Sequence, residues 1–186
     1  MRADERRWSD RSQALSGSPS AARSLWVVPS GEAHESLGRL IADLARRYGT
    51  PEFGPHVTLI GEVEGSLDEV LARAGQLAAS LRPFGIWLGR PRSENVYFRS
   101  LYLGVRRTAP LLRTHRMACA AFGLTTAQYR PHLSLLYGDL PRATKQALTD
   151  ELKSASPGVF TAESIQVVDT DQVVESWHVD GRFQLG

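Results

Sequence analysis

Hydrophobic residues along the chain recur with two different spacings, one typical of helices and one typical of strands. Between residues 32 and 48, Leu37, Ile41 and Leu44 recur at the three- and four-residue intervals that place side chains on one helix face. Gly49 follows this segment, as is common where a helix ends. Short apolar runs bounded by Pro, Gly or charged residues are instead typical of strands. The pattern therefore predicts a chain in which helices and strands are mixed.

The same two patterns predict the remaining elements. Ser66 and Glu69 form a capping-box sequence that opens the second helix. Helices are predicted over residues 32–48, 66–81, 110–122 and 141–153. Strands are predicted over residues 24–28, 56–63, 84–89, 96–105, 132–137, 160–168 and 173–179, the last two as a terminal pair. Strands mixed with helices, and hairpins on both sides, indicate an α+β fold with largely antiparallel sheets.

Two segments of the chain repeat each other. Residues 53–60, FGPHVTLI, align without a gap to residues 129–136, YRPHLSLL. The shared pattern is aromatic, any residue, Pro, His, aliphatic, hydroxyl, Leu, aliphatic, and each copy is followed by a Gly, an acid and a predicted helix start. We therefore expect two equivalent strands in two lobes that a pseudo-twofold axis relates.

Each copy of the repeat carries an imidazole and a hydroxyl on one side of a strand. Because side chains alternate along a strand, His56 and Thr58 point one way, and His132 and Ser134 form the equivalent pair. Histidine exchanges protons near neutral pH, and a hydroxyl donates a hydrogen bond to a phosphate oxygen. In-line displacement at phosphorus needs a base on one side and an acid on the other. Two facing imidazoles supply both groups, so we expect catalysis without a metal or a cofactor.

Other interpretations of these residues are weaker. A lone histidine on a strand is more often a surface or satisfied residue, but core packing gives no reason to repeat its flanks. A metal site lacks ligands, because no HExxH motif is present and Cys119 is the single cysteine. Ser134 as an acyl-transfer nucleophile lacks the G-x-S-x-G elbow. The repeat therefore favours phosphate chemistry.

Length and charge narrow the class of protein. The chain has 186 residues, enough for one domain, and its net charge of +2 is too small for general nucleic-acid or membrane binding. Residues 1–23 are rich in Arg, Ser and Ala without either periodicity, so we expect a disordered N-terminal extension, with an organelle transit peptide as the alternative. Residues 24–186 are expected to form a single bilobal domain. We expect a monomeric, cytoplasmic protein with no membrane partner.

On these motifs the sequence resembles the two-histidine phosphoesterase superfamily, whose signature is a paired His-x-[Thr/Ser]. More narrowly, it resembles the plant and yeast type cyclic phosphodiesterases. The matching segments are residues 24–29 (SLWVVP), 51–59 (PEFGPHVTL) and 129–140 (YRPHLSLLYGDL). The resemblance implies a bilobal fold with a water-filled cleft between two antiparallel sheets and with helices outside.

The resemblance also implies an activity. The substrates it implies are ADP-ribose 1″,2″-cyclic phosphate, hydrolysed to the 1″-phosphate, and nucleoside 2′,3′-cyclic phosphates, hydrolysed to 2′-phosphates. It implies the following site residues: His56 and His132 as the catalytic pair, Thr58 and Ser134 as phosphate donors, Tyr137 as a holder of the phosphate or its water, and Trp26 packing on the substrate.

The roles within the predicted site carry two further expectations. We expect His132 with Tyr137 to position the attacking water, and His56 to protonate the leaving oxygen. Tyr137 lies five residues after His132, an odd interval that turns it away on an ideal strand. It reaches the cleft only if the chain bends before Gly138.

Two other functions remain open at this point. One keeps the superfamily but acts on RNA ends that bear a 2′,3′-cyclic phosphate, with or without 2′,5′-ligase activity, and a group of arginines between residues 82 and 107 is compatible with it. The other is a catalytically silent nucleotide-binding module.

Tyr97 and Arg99 alternate on a predicted strand, where Arg99 either meets a phosphate or lies on an exposed face.

Overall fold

A computed structural model describes residues 22–126, 128–154, 158–170 and 173–186. Residues 1–21 lie outside these ranges, so the expected N-terminal extension and its boundary stay predictions. Within the described ranges, none of the helices has the length and apolar character needed to cross a membrane.

The described chain contains four α-helices and eight β-strands. The helices are α1 (Gly31–Tyr48), α2 (Leu67–Ala79), α3 (Ala109–Ala121) and α4 (Arg142–Glu151). The strands are β1 (Arg23–Val27), β2 (Val57–Val63), β3 (Phe84–Arg92), β4 (Leu101–Val105), β5 (His132–Leu136), β6 (Val159–Ala162), β7 (Ser164–Asp169) and β8 (His178–Gln184). Short 3₁₀ turns occur at Tyr97–Arg99, Leu152–Ser154 and Val174–Ser176.

Local sequence explains where the helices begin and end. The Glu69 amide donates to the Ser66 hydroxyl at 3.4 Å, and the Ser66 amide donates to the Glu69 carboxylate at 3.1 Å, which completes the predicted capping box of α2. Gly49 ends α1 in the left-handed region, with φ 63°. All four predicted helices are confirmed to within a few residues.

The eight strands form one curled antiparallel sheet built from two similar halves. The strand order is β6-β3-β4-β5-β2-β1-β7-β8, so β5 and β2 meet in the middle and join two four-stranded halves. The order β1-α1-β2-α2 in one half matches β4-α3-β5-α4 in the other. The predicted α+β class with antiparallel sheets is confirmed, and the two sheets are continuous through the β2–β5 pair.

Three strand predictions were wrong. Residues 160–168 form two strands instead of one, because β6 pairs with β3 in one half and β7 pairs with β1 and β8 in the other. The region predicted as strand 96–105 begins with a 3₁₀ turn, in which the Arg99 amide donates to the Val96 carbonyl at 2.9 Å. Neither Tyr97 nor Arg99 therefore lies on a strand. Within the predicted strand 173–179, residues 174–176 form the third 3₁₀ turn, and β8 begins only at His178.

A helix from each half of the molecule packs on the strand that the other half contributes to the middle of the sheet. Helix α1 packs on β5, and α3 packs on β2. The residues that face these helices from the two central strands include Val57 and Leu133, both with no exposed surface. The helices thus cover one face of the middle of the sheet and leave the opposite face for a cleft.

Candidate active site

The pairing of β2 with β5 brings both copies of the repeat to one place. Val57 pairs with Leu133, and these two side chains are buried in the core. Side chains one position away on each strand point to the other face of the sheet. There they border a cavity of about 240 Å³. All six residues predicted for the site line this cavity: Trp26, His56, Thr58, His132, Ser134 and Tyr137.

Both imidazoles are held by the same backbone contact. Nδ1 of His56 lies 2.7 Å from the carbonyl oxygen of Gly54, and Nδ1 of His132 lies 3.0 Å from that of Arg130. A carbonyl only accepts, so Nδ1 carries the proton in both rings, and in each neutral ring Nε2 holds the lone pair. In each copy the acceptor is the residue two positions before the histidine. The repeat therefore sets the tautomer of both rings.

His56 is buried beneath aromatic rings. Its ring is 5% exposed and stacks on Trp26, with centroids 3.6 Å apart and planes within 8°. Burial lowers the pKa of His56 to about 4, the hydrogen bond to Gly54 opposes this effect, and repulsion from His132 adds to it. At neutral pH the free protein therefore holds His56 as the neutral ring.

His132 is more exposed and has charged neighbours. Burial lowers its pKa as well, and the hydrogen bond to Arg130 raises it. The charges of Arg99 and Arg130 lower the pKa further, while that of Glu94 raises it. The ring of Tyr102 meets His132 edge-on, with centroids 5.5 Å apart. Charge thus surrounds one imidazole and aromatic rings surround the other.

The two predicted phosphate donors differ in what they contact. Within the described part of the chain, the Thr58 hydroxyl has no hydrogen-bond partner, so its proton is available to a ligand. The Ser134 hydroxyl donates to the Phe98 carbonyl at 2.9 Å. Ser134 must therefore rotate away from Phe98 before it donates to a phosphate oxygen.

Tyr137 reaches the cleft through the bend that the sequence requires. Strand β5 ends at Leu136, and Gly138 has φ 131°, a conformation that favours glycine. The Tyr137 hydroxyl lies 3.4 Å from Nε2 of His56. Burial raises the pKa of Tyr137, so the hydroxyl stays protonated and faces the lone pair of His56. The contact that the structure shows for Tyr137 is therefore with His56, and the pairing of Tyr137 with either histidine around an attacking water stays a prediction.

Trp26 borders the cavity but is 7% exposed, and one face of its ring is covered by His56. The edge of Trp177 packs against it, with centroids 5.7 Å apart. Its extensive contact is with an imidazole, so the geometry makes Trp26 a residue that positions His56. Direct packing of Trp26 on a substrate stays a prediction.

Sequence patterns missed two aromatic residues that line the cavity. Phe98 lies in the 3₁₀ turn between β3 and β4, and Trp177 follows the turn before β8. Their rings stack with centroids 6.1 Å apart. Neither residue belongs to the repeat, and both come from turns in regions predicted as strands, so no spacing marked them.

Groups of three or more His, Cys, Asp or Glu side chains that could hold a metal ion do not occur within the described ranges. The residues around this small cavity include two imidazoles, a phenol, a carboxylate and four hydroxyls, and the last are those of Ser24, Thr58, Ser134 and Thr170. This donor set suits acid–base chemistry on an anionic ester.

Comparison with known proteins agrees with this geometry. A family model described as cyclic phosphodiesterase-like protein matches residues 21–185, nearly the whole chain. The chain therefore belongs to this family of two-histidine phosphoesterases, and the predicted class of enzyme, a phosphodiesterase, is confirmed.

Two curated relatives cover most of the chain. A cyclic phosphodiesterase of Arabidopsis thaliana is 25% identical over 162 residues, which are 83% of this chain and 90% of the relative. A 2′,3′-cyclic-nucleotide 3′-phosphodiesterase of Phaeosphaeria nodorum is 28% identical over 181 residues, which cover 83% and 94% of the two chains.

Solved structures share the fold. Escherichia coli LigT without ligand superimposes with a TM-score of 0.59 at 17% identity, covering 89% of this chain and 97% of LigT. LigT has also been crystallised in complexes with NADP⁺, 3′-AMP and ATP. At this identity the similarity shows a common fold.

The low pKa of His56 predicts how stability depends on pH. Between pH 6.5 and about 4 the unfolded chain binds a proton at this position and the folded protein does not, so stability falls as the pH falls. From pH 7 to pH 5 this difference lowers the free energy of unfolding by about 2 kcal/mol. The variant His56→Asn, whose amide nitrogen replaces Nδ1, should lose less stability over this range by about that amount.

Urea unfolding at both pH values measures this difference, and each protein serves as its own reference. The variant His34→Ala removes an exposed histidine on α1 and should keep the wild-type pH dependence. An identical pH dependence in wild type and His56→Asn would contradict the buried, neutral state of His56.

Proposed function

We propose that this protein hydrolyses cyclic phosphates on ribose by paired histidine acid–base catalysis. Its substrates in this proposal are nucleoside 2′,3′-cyclic phosphates, converted to 2′-phosphates, and ADP-ribose 1″,2″-cyclic phosphate, converted to the 1″-phosphate. One observation carries the proposal: His56 and His132 line the same cavity, each with Nδ1–H donated to the backbone and Nε2 left for chemistry. Membership of the cyclic phosphodiesterase-like family supports the same class of substrate.

The reaction requires two proton transfers around one phosphorus atom. A water oxygen bonds to phosphorus while the bond from phosphorus to the ribose 3′ oxygen breaks. The water loses a proton to one imidazole, and the 3′ oxygen takes a proton from the other. Cleavage of the 3′ ester leaves the phosphate on the 2′ oxygen. Each transfer contributes roughly 10²- to 10⁴-fold to the rate.

The surroundings of the two rings distinguish their roles. We place the proton on His132, because burial lowers the pKa of His56 to about 4 and His132 is the more exposed of the two residues. Tyr137 also lies beside His56, with its hydroxyl 3.4 Å from Nε2, and in this proposal both atoms contact the attacking water. We therefore assign the base to His56 and the acid to His132, the reverse of the sequence-based expectation.

The hydroxyls act on the oxygens that do not react. Thr58 and Ser134 occupy equivalent positions beside the two histidines, so each reaches one non-bridging oxygen of the phosphate. Donors placed where negative charge develops stabilise the transition state without a metal ion. Absence of a cofactor, a monomeric state and a cytoplasmic location all stay predictions.

RNA ends that carry a 2′,3′-cyclic phosphate are the second candidate substrate. The observation that favours them is a set of arginines that borders His132, since RNA presents further phosphates beyond the cyclic one. A silent nucleotide-binding module would bind these compounds without turnover, and no residue of the motif is missing to suggest it.

A substrate panel tests the proposed activity. Nucleoside 2′,3′-cyclic phosphates and ADP-ribose 1″,2″-cyclic phosphate should both be hydrolysed, and phosphorus NMR should show the 2′-phosphate and the 1″-phosphate as products. The rates should be unchanged with EDTA present. Binding without turnover of any cyclic phosphate would establish the silent module instead, and dependence on added metal would overturn the proposed chemistry.

Replacing either histidine tests the paired mechanism. His56→Ala and His132→Ala should each lower kcat by at least about 10²-fold, because each removes one proton transfer. The double variant should be little worse than either single variant, since groups that act as a unit are not additive. His34→Ala is the matched control and should keep wild-type kcat. Full activity of His56→Ala would end this proposal.

The leaving oxygen distinguishes the acid from the base. The distinguishing substrate is a nucleoside 2′,3′-cyclic phosphate with sulfur in place of the 3′ oxygen. Its 3′ sulfur leaves as a thiolate, which needs no proton. His132→Ala should therefore recover most of its lost rate on this substrate, while His56→Ala should not. Steady-state rates of both variants on the oxygen and sulfur substrates measure the recovery. If only His56→Ala recovered its rate, His56 would be the acid and His132 the base.

A further inference from the structure

A second cavity begins on the other side of His132. It has a volume of about 320 Å³, and His132 lines both this cavity and the catalytic one. We call it the arginine groove, since six arginines line it: Arg90, Arg92, Arg99, Arg106, Arg107 and Arg130. The groove and the cleft therefore adjoin at His132, the proposed acid.

Strand register places the groove on the same face of the sheet as the catalytic residues. Gly104 of β4 pairs with His132, and Tyr102 pairs both with Ser134 on β5 and with Arg92 on β3. Residues directly opposite on neighbouring strands share a face. A Cβ atom at position 104 would lie 3.7 Å from Nε of Arg92. Because Gly104 has no side chain, the surface of the groove between Arg92 and His132 stays open.

The charge of the groove is poorly balanced. Glu94 pairs with Arg99 at 3.1 Å and with Arg130 at 2.6 Å. The other four guanidinium groups have no carboxylate partner within the described ranges. Their side chains are exposed. A concentrated positive charge with planar donors is a site for a phosphate group, which arginine binds through two parallel hydrogen bonds.

We propose that the arginine groove binds a phosphate on C5 of the same ribose whose cyclic phosphate lies in the cleft. This inference rests on the proposed function. Both polyphosphate substrates share the required group: ADP-ribose cyclic phosphate carries a pyrophosphate on C5″, and the last nucleotide of an RNA carries a phosphodiester on C5′. A simple nucleoside 2′,3′-cyclic phosphate lacks it. The groove therefore makes the enzyme selective for a ribose that is phosphorylated at both ends.

The direction of the groove supports this assignment. At the His56 end the cleft is bordered by Trp26 and Trp177, which offer apolar surface. At the His132 end it is bordered by guanidinium groups. The guanidinium groups that line these two cavities all lie at the His132 end, so an orientation of the ribose with C5 toward His132 stabilises a second phosphate.

Two substrates that differ in one group test the inference. Adenosine 2′,3′-cyclic phosphate is compared with its 5′-phosphorylated form, and kcat/KM should be higher for the latter by about tenfold or more, the effect of one charged hydrogen-bonded pair. Arg92→Ala should bring this ratio close to one. The matched control Arg113→Ala replaces an exposed arginine on α3, outside the groove, and should keep the wild-type ratio.

Two further substrates distinguish the source of the phosphate. A dinucleotide with a cyclic 3′ end and ADP-ribose 1″,2″-cyclic phosphate carry the C5 phosphate in different surroundings, and the larger kcat/KM identifies the preferred one. A wild-type ratio near one, with both adenosine substrates turned over, would overturn the groove assignment and leave the proposed function intact. Absence of turnover on every substrate would overturn both.

Discussion

The pairing of Val57 with Leu133 determines the geometry of the whole site. In an antiparallel pair, one step forward on the first strand matches one step back on the second. This single pairing therefore sets the imidazole of each copy opposite the hydroxyl of the other copy, and a shift of either strand by one residue would turn that strand's imidazole and hydroxyl into the core. The residues that face each other are His56 with Ser134, and Thr58 with His132.

Aromatic residues of the repeat reinforce this pairing across the two halves. Phe53, which precedes His56, stacks on Tyr137 of the second half, with centroids 3.9 Å apart. Tyr129 holds the equivalent place in the other copy, and its hydroxyl donates to the Thr58 carbonyl at 3.0 Å. Each half thus contributes a ring that fixes the motif of the other. Because the contacts are made before a substrate arrives, the imidazoles need little reorganisation to act together.

The parts of this structure that are local or repeated could be predicted from the sequence. The repeat placed His56 and His132 on equivalent strands, and the odd interval to Tyr137 correctly required a bend. Contacts between residues far apart in the sequence could not be predicted from local patterns. The turn at residues 97–99 is held by Glu94, whose carboxylate also meets Arg130, 36 residues further along the chain. Such partners leave no periodic trace, so the aromatic and apolar residues of this turn resemble a strand in the sequence.

Two residues of the arginine groove, Arg99 and Arg130, link substrate binding to the protonation of His132 in the proposed mechanism. Arg99 and Arg130 lower the pKa of this ring in the free protein, which disfavours the charged form that a catalytic acid needs. A bound phosphate has the opposite charge, so it offsets the arginines and raises the pKa of His132. The low pKa of His56 comes mainly from burial, which a bound phosphate leaves in place. In the proposed mechanism an anionic substrate places the proton on the ring beside the arginines, so two halves with the same motif take different roles because their surroundings differ.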